Sequence, residues 1–134
     1  VFLEDYAYSI AMFLDLYDQT LKPNYLFKAK ELCKKTIEFF YIKKKSIFQK
    51  NMVDTNDLFH KPIDISDGNI PNGNSVMLLN FTRLKMKNEA IELSNSLNGY
   101  LNNYKSLMAS ALKSINYFSM TDVEKKCTKE GCLI

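Results

Sequence analysis

Two stretches of this chain combine residue types that can do chemistry. One is Glu4-Asp5-Tyr6, two carboxylates beside a phenol. The other runs from Ser66 to Val76 and packs Gly68, Pro71 and Gly73 among Asp67, Asn69, Asn72 and Asn74 before the chain turns apolar. Glycines allow positive φ or close backbone approach, and Pro71 fixes one dihedral. A helix opening after them presents unpaired amides, which accept anionic or hydroxyl-rich groups. The same residues also make a sound turn and cap, with Asp67 accepting from a neighbouring amide. A phosphate cradle is poorly supported, because no lysine and hydroxyl follow the glycines in the Walker manner.

Other reactive groups are sparse. His60 is the single histidine and has no visible triad partner, so it reads as a loop residue. Cys127 and Cys132 have four residues between them, not the two-residue gap of a redox motif, and a zinc site would need two more ligands. Thiol chemistry at that pair ranks lowest among the functions considered. Three cysteines with no extracellular sign favour reduced thiols and a cytoplasmic setting. No cofactor or metal is called for.

Composition narrows the classes further. With 134 residues, 46% hydrophobic and 25% charged, the chain fits one domain with a core of its own. Its net charge of +3 comes almost entirely from lysine, Arg83 being the lone arginine, which argues against nucleic acid as a partner. Lys43-Lys44-Lys45 reads as a solvated helix end. No apolar stretch is long enough to span a bilayer, so no membrane partner is expected. The start at Val1, within a helical pattern, raises the expectation that this is a C-terminal piece of a longer protein.

The elements that must position these groups are helical. Leu3, Tyr6, Ala7, Ile10, Leu14 and Tyr17 recur at three- and four-residue spacing and predict a helix over 2–19. Leu26, Ala29, Cys33, Ile37 and Phe40 predict a second over 25–42, after a turn at Pro23-Asn24. A third begins near Asn74 or Ser75, with Asn74 as its cap, and runs through Leu84. A fourth spans 88–104, weakened at Gly99, and a fifth spans 106–118. Thr121-Asp122-Val123-Glu124 has the spacing of a capping box and predicts a separate short helix to about 129.

The chain thus reads as an all-α fold of antiparallel hairpins, 2–42 and 74–104, followed by terminal helices over 106–129. Ser9–Leu14 compares with Ser75–Asn80, and Ala29–Leu32 with Ala90–Leu93, which hints at a repeated hairpin whose copies stack. Between them, 44–73 shows no helical period, and its Ile47, Phe48, Leu58 and Phe59 argue for packing. Ser46–Gln49 and Leu58–Lys61 are expected to pair there as a small β-hairpin across Asp54–Asp57.

These motifs carry a resemblance. Leu3-Glu4-Asp5-Tyr6-Ala7, then Leu16-Tyr17-Asp18-Gln19-Thr20, then Tyr25-Leu26-x2-Ala29, and finally Asp67-Gly68-x2-Pro71-Asn72-Gly73-Asn74-Ser75-Val76 with Leu84 look like the C-terminal half of the thioredoxin-domain family related to spermatogenesis-associated protein twenty. The family's second block usually reads proline, serine, glycine, asparagine, serine, and here Asn72 stands for the first serine. The resemblance covers residues 1 to about 118. It implies a partial α/α toroid, similar to six-hairpin glycosidases and N-acylglucosamine epimerases, with an upstream thioredoxin-like domain.

In such a toroid, loops before inner helices line one mouth, so the resemblance brings Glu4, Asp5 and Tyr6 near Asp67, Asn74 and Ser75. Carboxylates hydrogen-bond sugar hydroxyls and a tyrosine can stack on the ring. Asp5, or Glu4 in its place, with Asp67 would then be the catalytic pair of a glycosidase, one of them with a raised pKa, while Glu4, Tyr6, Asn74 and Ser75 would hold the sugar. Equally open is acid bias at a helix start for Glu4-Asp5, and a core role for Tyr6 and Tyr8. The alternative is a noncatalytic helical interaction domain that self-associates, or docks its missing N-terminal half, through exposed apolar hairpin faces.

Overall fold

The structure, a computed structural model, describes residues 1–52 and 62–130, the last nine as helical backbone alone. It is an all-α fold of antiparallel hairpins with one small β-hairpin: α1 (Leu3–Thr20), α2 (Pro23–Phe40), β1 (Tyr41–Ile42), β2 (Ile47–Phe48), α3 (Gly73–Arg83), α4 (Lys87–Tyr104) and α5 (Ala109–Glu130), with a 3-10 turn at Lys105–Leu107. Among the described residues no helix is long and apolar enough to cross a membrane.

The helices pack in two layers. α1 and α5 lie on either side of α3, while α2 covers α1 and α4 packs on α3 and α5. The apolar stripes meet in one core that includes Leu3, Ile10, Phe40, Phe48, Phe81 and Leu97. Ala29 and Ala90, equivalent in the two matching segments, are both fully buried, as small residues must be where helices approach closely. Cys33 lies against Met86, its sulfur 3.7 Å from the thioether, and burial, with Glu89 nearby, pushes its thiol up to about 12. It is a packing residue rather than a nucleophile.

α3 differs from the other helices in being buried nearly all round. Its apolar residues Val76, Met77, Leu78 and Phe81 fill the core, and its buried polar groups reach several neighbours. Asn74 holds β2, accepting from the Phe48 amide and donating to its carbonyl, both at 2.9 Å, and donates to the Asp64 carbonyl at 3.0 Å. Asn80 donates to the Ala7 carbonyl of α1 at 2.9 Å, and the Ser75 carbonyl accepts from Ser114 of α5 at 2.9 Å.

Six expectations need correction. Asn74 is not the cap of α3: the helix starts at Gly73, so Asn72 is the cap and its side chain accepts from the Ser75 amide at 3.1 Å. Ser46–Gln49 does pair, but with Tyr41–Ile42, because a four-residue turn closes more readily than a long loop; Leu58–Lys61, with His60, lies outside the described residues. The second helix consequently ends at Phe40, where Tyr41 takes extended backbone (φ −83°, ψ 126°). Lys43–Lys45 is therefore a hairpin tip rather than a helix end. Finally, α5 runs unbroken through Thr121, whose hydroxyl turns back to the Phe118 carbonyl at 2.8 Å instead of opening a new helix. Gly99 does not interrupt α4.

Gly73 has a steric reason. A Cβ there would sit 2.8 Å from the Leu3 side chain and 3.3 Å from a Glu4 carboxylate oxygen. Gly73→Ala is expected to lower stability by about 1–3 kcal/mol, since Leu3 is itself fully buried and has nowhere to move. A chemical-denaturation midpoint unchanged from that of the parent chain would contradict this close approach.

Candidate functional site: a polar cleft at the start of α1

The N-terminus of α1 is anchored from outside the helix. The Leu3 amide donates to the Lys50 carbonyl at 2.9 Å, and Phe2 forms a bridge with Asn51. Asp5 reaches back one turn and accepts from the Phe2 amide at 2.9 Å, as acids in a first turn do. Facing this end is the Ser66–Asn72 loop, with Tyr8 donating its hydroxyl to the Pro71 carbonyl at 3.0 Å. Between them opens a cleft of about 370 Å³ lined by Phe2, Glu4, Asp5, Lys50, Asp64 and the loop residues around Gly68 and Pro71. Lys50 pairs with Asp64 at 3.4 Å across its floor.

Asp67 sits between the cleft-lining Ser66 and Gly68, but its carboxylate is turned to the helices. One oxygen accepts from the Asn72 amide at 3.1 Å, the Asn72 side chain at 2.9 Å and the Ser110 hydroxyl; the other accepts from the Ser110 amide at 2.8 Å. The Asp67 amide also donates to the Leu107 carbonyl at 2.7 Å. One carboxylate thus ties the loop, the cap of α3 and the first turn of α5 together. Partial burial pushes the Asp67 carboxyl upward, but the donors on Ser110 and Asn72 outweigh it and hold the group below its usual 3.8. Tyr8 is raised, by burial first and then by the charges of Asp67 and Glu4.

The structure therefore brings Glu4 and Asp5 to the same cleft as the loop that carries Asp67. It places the other sequence-predicted site residues elsewhere. Tyr6 packs edge-on against Phe39 and Phe40 of α2, ring centres 6.3 and 5.4 Å away. Asn74 and Ser75 are buried at α3, occupied with Phe48, Asp64 and Asn72. Lys50 and Asp64 are the cleft residues that sequence reasoning missed; both lie in a segment without helical period, and only the packing of its ends on α1 puts them there. The side chains of Cys127 and Cys132 lie outside the described residues. Among the described residues no cluster of His, Cys, Asp and Glu could hold a metal ion.

No family model, no curated protein and no solved structure matches this chain.

The pH dependence of Asp67 follows from its lowered carboxyl. A group depressed in the folded state stabilises the fold above its ordinary value and ceases to do so as pH falls through the folded value. The melting temperature of Asp67→Asn is expected to lie below that of the parent at neutral pH, and the gap to narrow below pH 3.8. A gap independent of pH would mean that the negative charge plays no part in the tie.

Proposed function

We propose that this chain is a carbohydrate-binding helical unit without turnover, built on the partial-toroid plan that its resemblance implies. The observation that carries the reading is the state of Asp67. Four donors occupy its oxygens, about the whole acceptor capacity of a carboxylate. A low pKa is also the wrong direction for a general acid. Asp5, exposed at the start of α1, accepts the Phe2 amide. Of the pair expected to catalyse, Asp67 is thus committed to holding the cleft's walls together and Asp5 takes one local bond.

What faces the cleft suits hydroxyl groups: Glu4, Asp64 and Lys50 offer acceptors and donors, and half-exposed Phe2 offers an apolar edge. The layering of α1, α3 and α5 against α2 and α4 supports the toroid reading, because toroids alternate inner and outer helices in this way. Thermal-shift titration with a panel of neutral monosaccharides tests the proposal. Stabilisation that rises with sugar concentration, and that Glu4→Gln with Asp64→Asn abolishes, is the expected result. The same shift in the double variant would place binding elsewhere, and no shift with any sugar would remove the reading.

The second reading, an interaction domain, is favoured by Leu112 and Met120, exposed to 51% and 63% eight residues apart on one side of α5. It expects light scattering to show concentration-dependent association that Leu112→Ser with Met120→Ser suppresses.

A further inference from the structure

Charge is divided sharply between neighbouring parts of the fold. α1 carries four acids and no base, whereas residues 22–45 carry eight lysines against two acids, Glu31 and Glu38. Glu31 is paired with Lys35 at 3.0 Å, and Lys28 lies 5.5 Å over the Phe13 ring. Lys34, Lys43, Lys44 and Lys45 are exposed and form no ion pair among the described residues. The last three crown the β-hairpin, whose tip is fixed in place: the Lys45 carbonyl accepts from Ser96 of α4 at 2.9 Å, and the Gln49 amide donates to the Phe40 carbonyl at 2.9 Å. Toward the opposite end of α2, Leu21, just before the helix, is 72% exposed and Phe27, about 20 Å along the helix from Phe40, is 69% exposed.

We infer that α2 and the lysine hairpin form a docking surface for an anionic phospholipid membrane, on which the chain lies peripherally. Three observations point to lipid. The cations are all lysines, compact point charges that suit a diffuse layer of headgroups, while the arginine forks favoured by nucleic-acid phosphates and bases are absent from this surface. Two bulky apolar side chains stand nearly free of the protein at one end, as in helices that lie in a membrane interface. Lys34 and Lys43–Lys45 moreover have no acidic partner among the described residues, which leaves their charge for an anionic surface. None of the residues of the cleft takes part, so this surface and the proposed sugar site stand or fall separately.

Vesicle flotation of the full chain tests the inference. Phosphatidylserine–phosphatidylcholine vesicles are expected to carry the protein up the gradient and pure phosphatidylcholine vesicles to leave it behind, the binding weakening as salt rises past about 0.1 M. Reversing Lys43, Lys44 and Lys45 to Glu is expected to cut partitioning about tenfold or more. Phe27→Ser is expected to cut it severalfold. All four positions are solvent-facing, and circular dichroism of each variant is the control for retained helices. Equal binding to neutral vesicles, or equal binding by the variants, would overturn the proposal. So would a chain that ignores both kinds of vesicle, or that does so while retained by heparin or RNA.

Discussion

Asn74→Ala is expected to lower stability by on the order of 3–5 kcal/mol, a large share of what a domain of this size possesses. The side chain is fully buried and satisfies three backbone groups at once, the amide and carbonyl of Phe48 and the carbonyl of Asp64. Removing it leaves all three without partners in an apolar setting, and each such group costs about 1–3 kcal/mol. The melting temperature should fall by roughly 3–5 °C per kcal/mol. Asn74→Asp separates the donors from the acceptor: it retains an oxygen for the Phe48 amide but turns a carboxylate on two carbonyls, so its cost should match or exceed that of alanine at neutral pH and ease in acid. Asn102→Ala, on the exposed side of α4, should change little. A loss under 1 kcal/mol for Asn74→Ala would mean that the β-hairpin is held by its apolar residues alone.

Phe81→Ala is expected to cost about 3–5 kcal/mol by a different route. Its ring is fully buried on α3, 5.8 Å from that of Phe48, at the point where the hairpin meets the helices. It also borders a small pocket of about 20 Å³ shared with Thr82, Ala90 and Phe118. Truncation would merge the new void with that space rather than let the walls close, which puts the loss toward the upper part of the range. Phe27→Ala deletes the same atoms at a site 69% exposed and should stay within about 0.5 kcal/mol. Equal losses in the two variants, measured by denaturant unfolding, would contradict the position of the core.

The helices were legible wherever one apolar stripe met a polar face. α1, α2 and α4 follow from Leu3 to Leu14, Ala29 to Phe40 and Ala90 to Leu101 because burial at those positions repeats with the turn of the helix. The β-hairpin was not, since its turn uses Lys43–Ser46 with Ser46 at φ 49° and contains none of the glycine, proline or asparagine that announces a turn. The cap of α3 was placed two residues too late, at Asn74, because that asparagine is an able cap by type, whereas the helix begins at Gly73 behind Asn72. Thr121–Glu124 resembled a helix start, yet nothing before it breaks the helix already running.

The site was legible in part. Acids at a helix start and a punctuated loop marked both walls of the cleft. What Asp67 does there depends on Ser110, 43 residues further along, and no local pattern announces a partner at that distance. Tyr6 had two readings from sequence, a sugar platform and a core aromatic, and its contacts with Phe39 and Phe40 give it the second kind of surroundings.

The polar side chains inside α3 bear on folding as well as on strength. Asn74 and Asn80 fit partners on different neighbours, β2 with the Asp64 carbonyl and α1, so rotating that helix by a single position would strand both against hydrocarbon. A purely greasy central helix would tolerate such slippage among several near-equal alignments. Here the misaligned arrangements are penalised at two sites simultaneously, which leaves one seating for the helix and makes its docking, once reached, all-or-none.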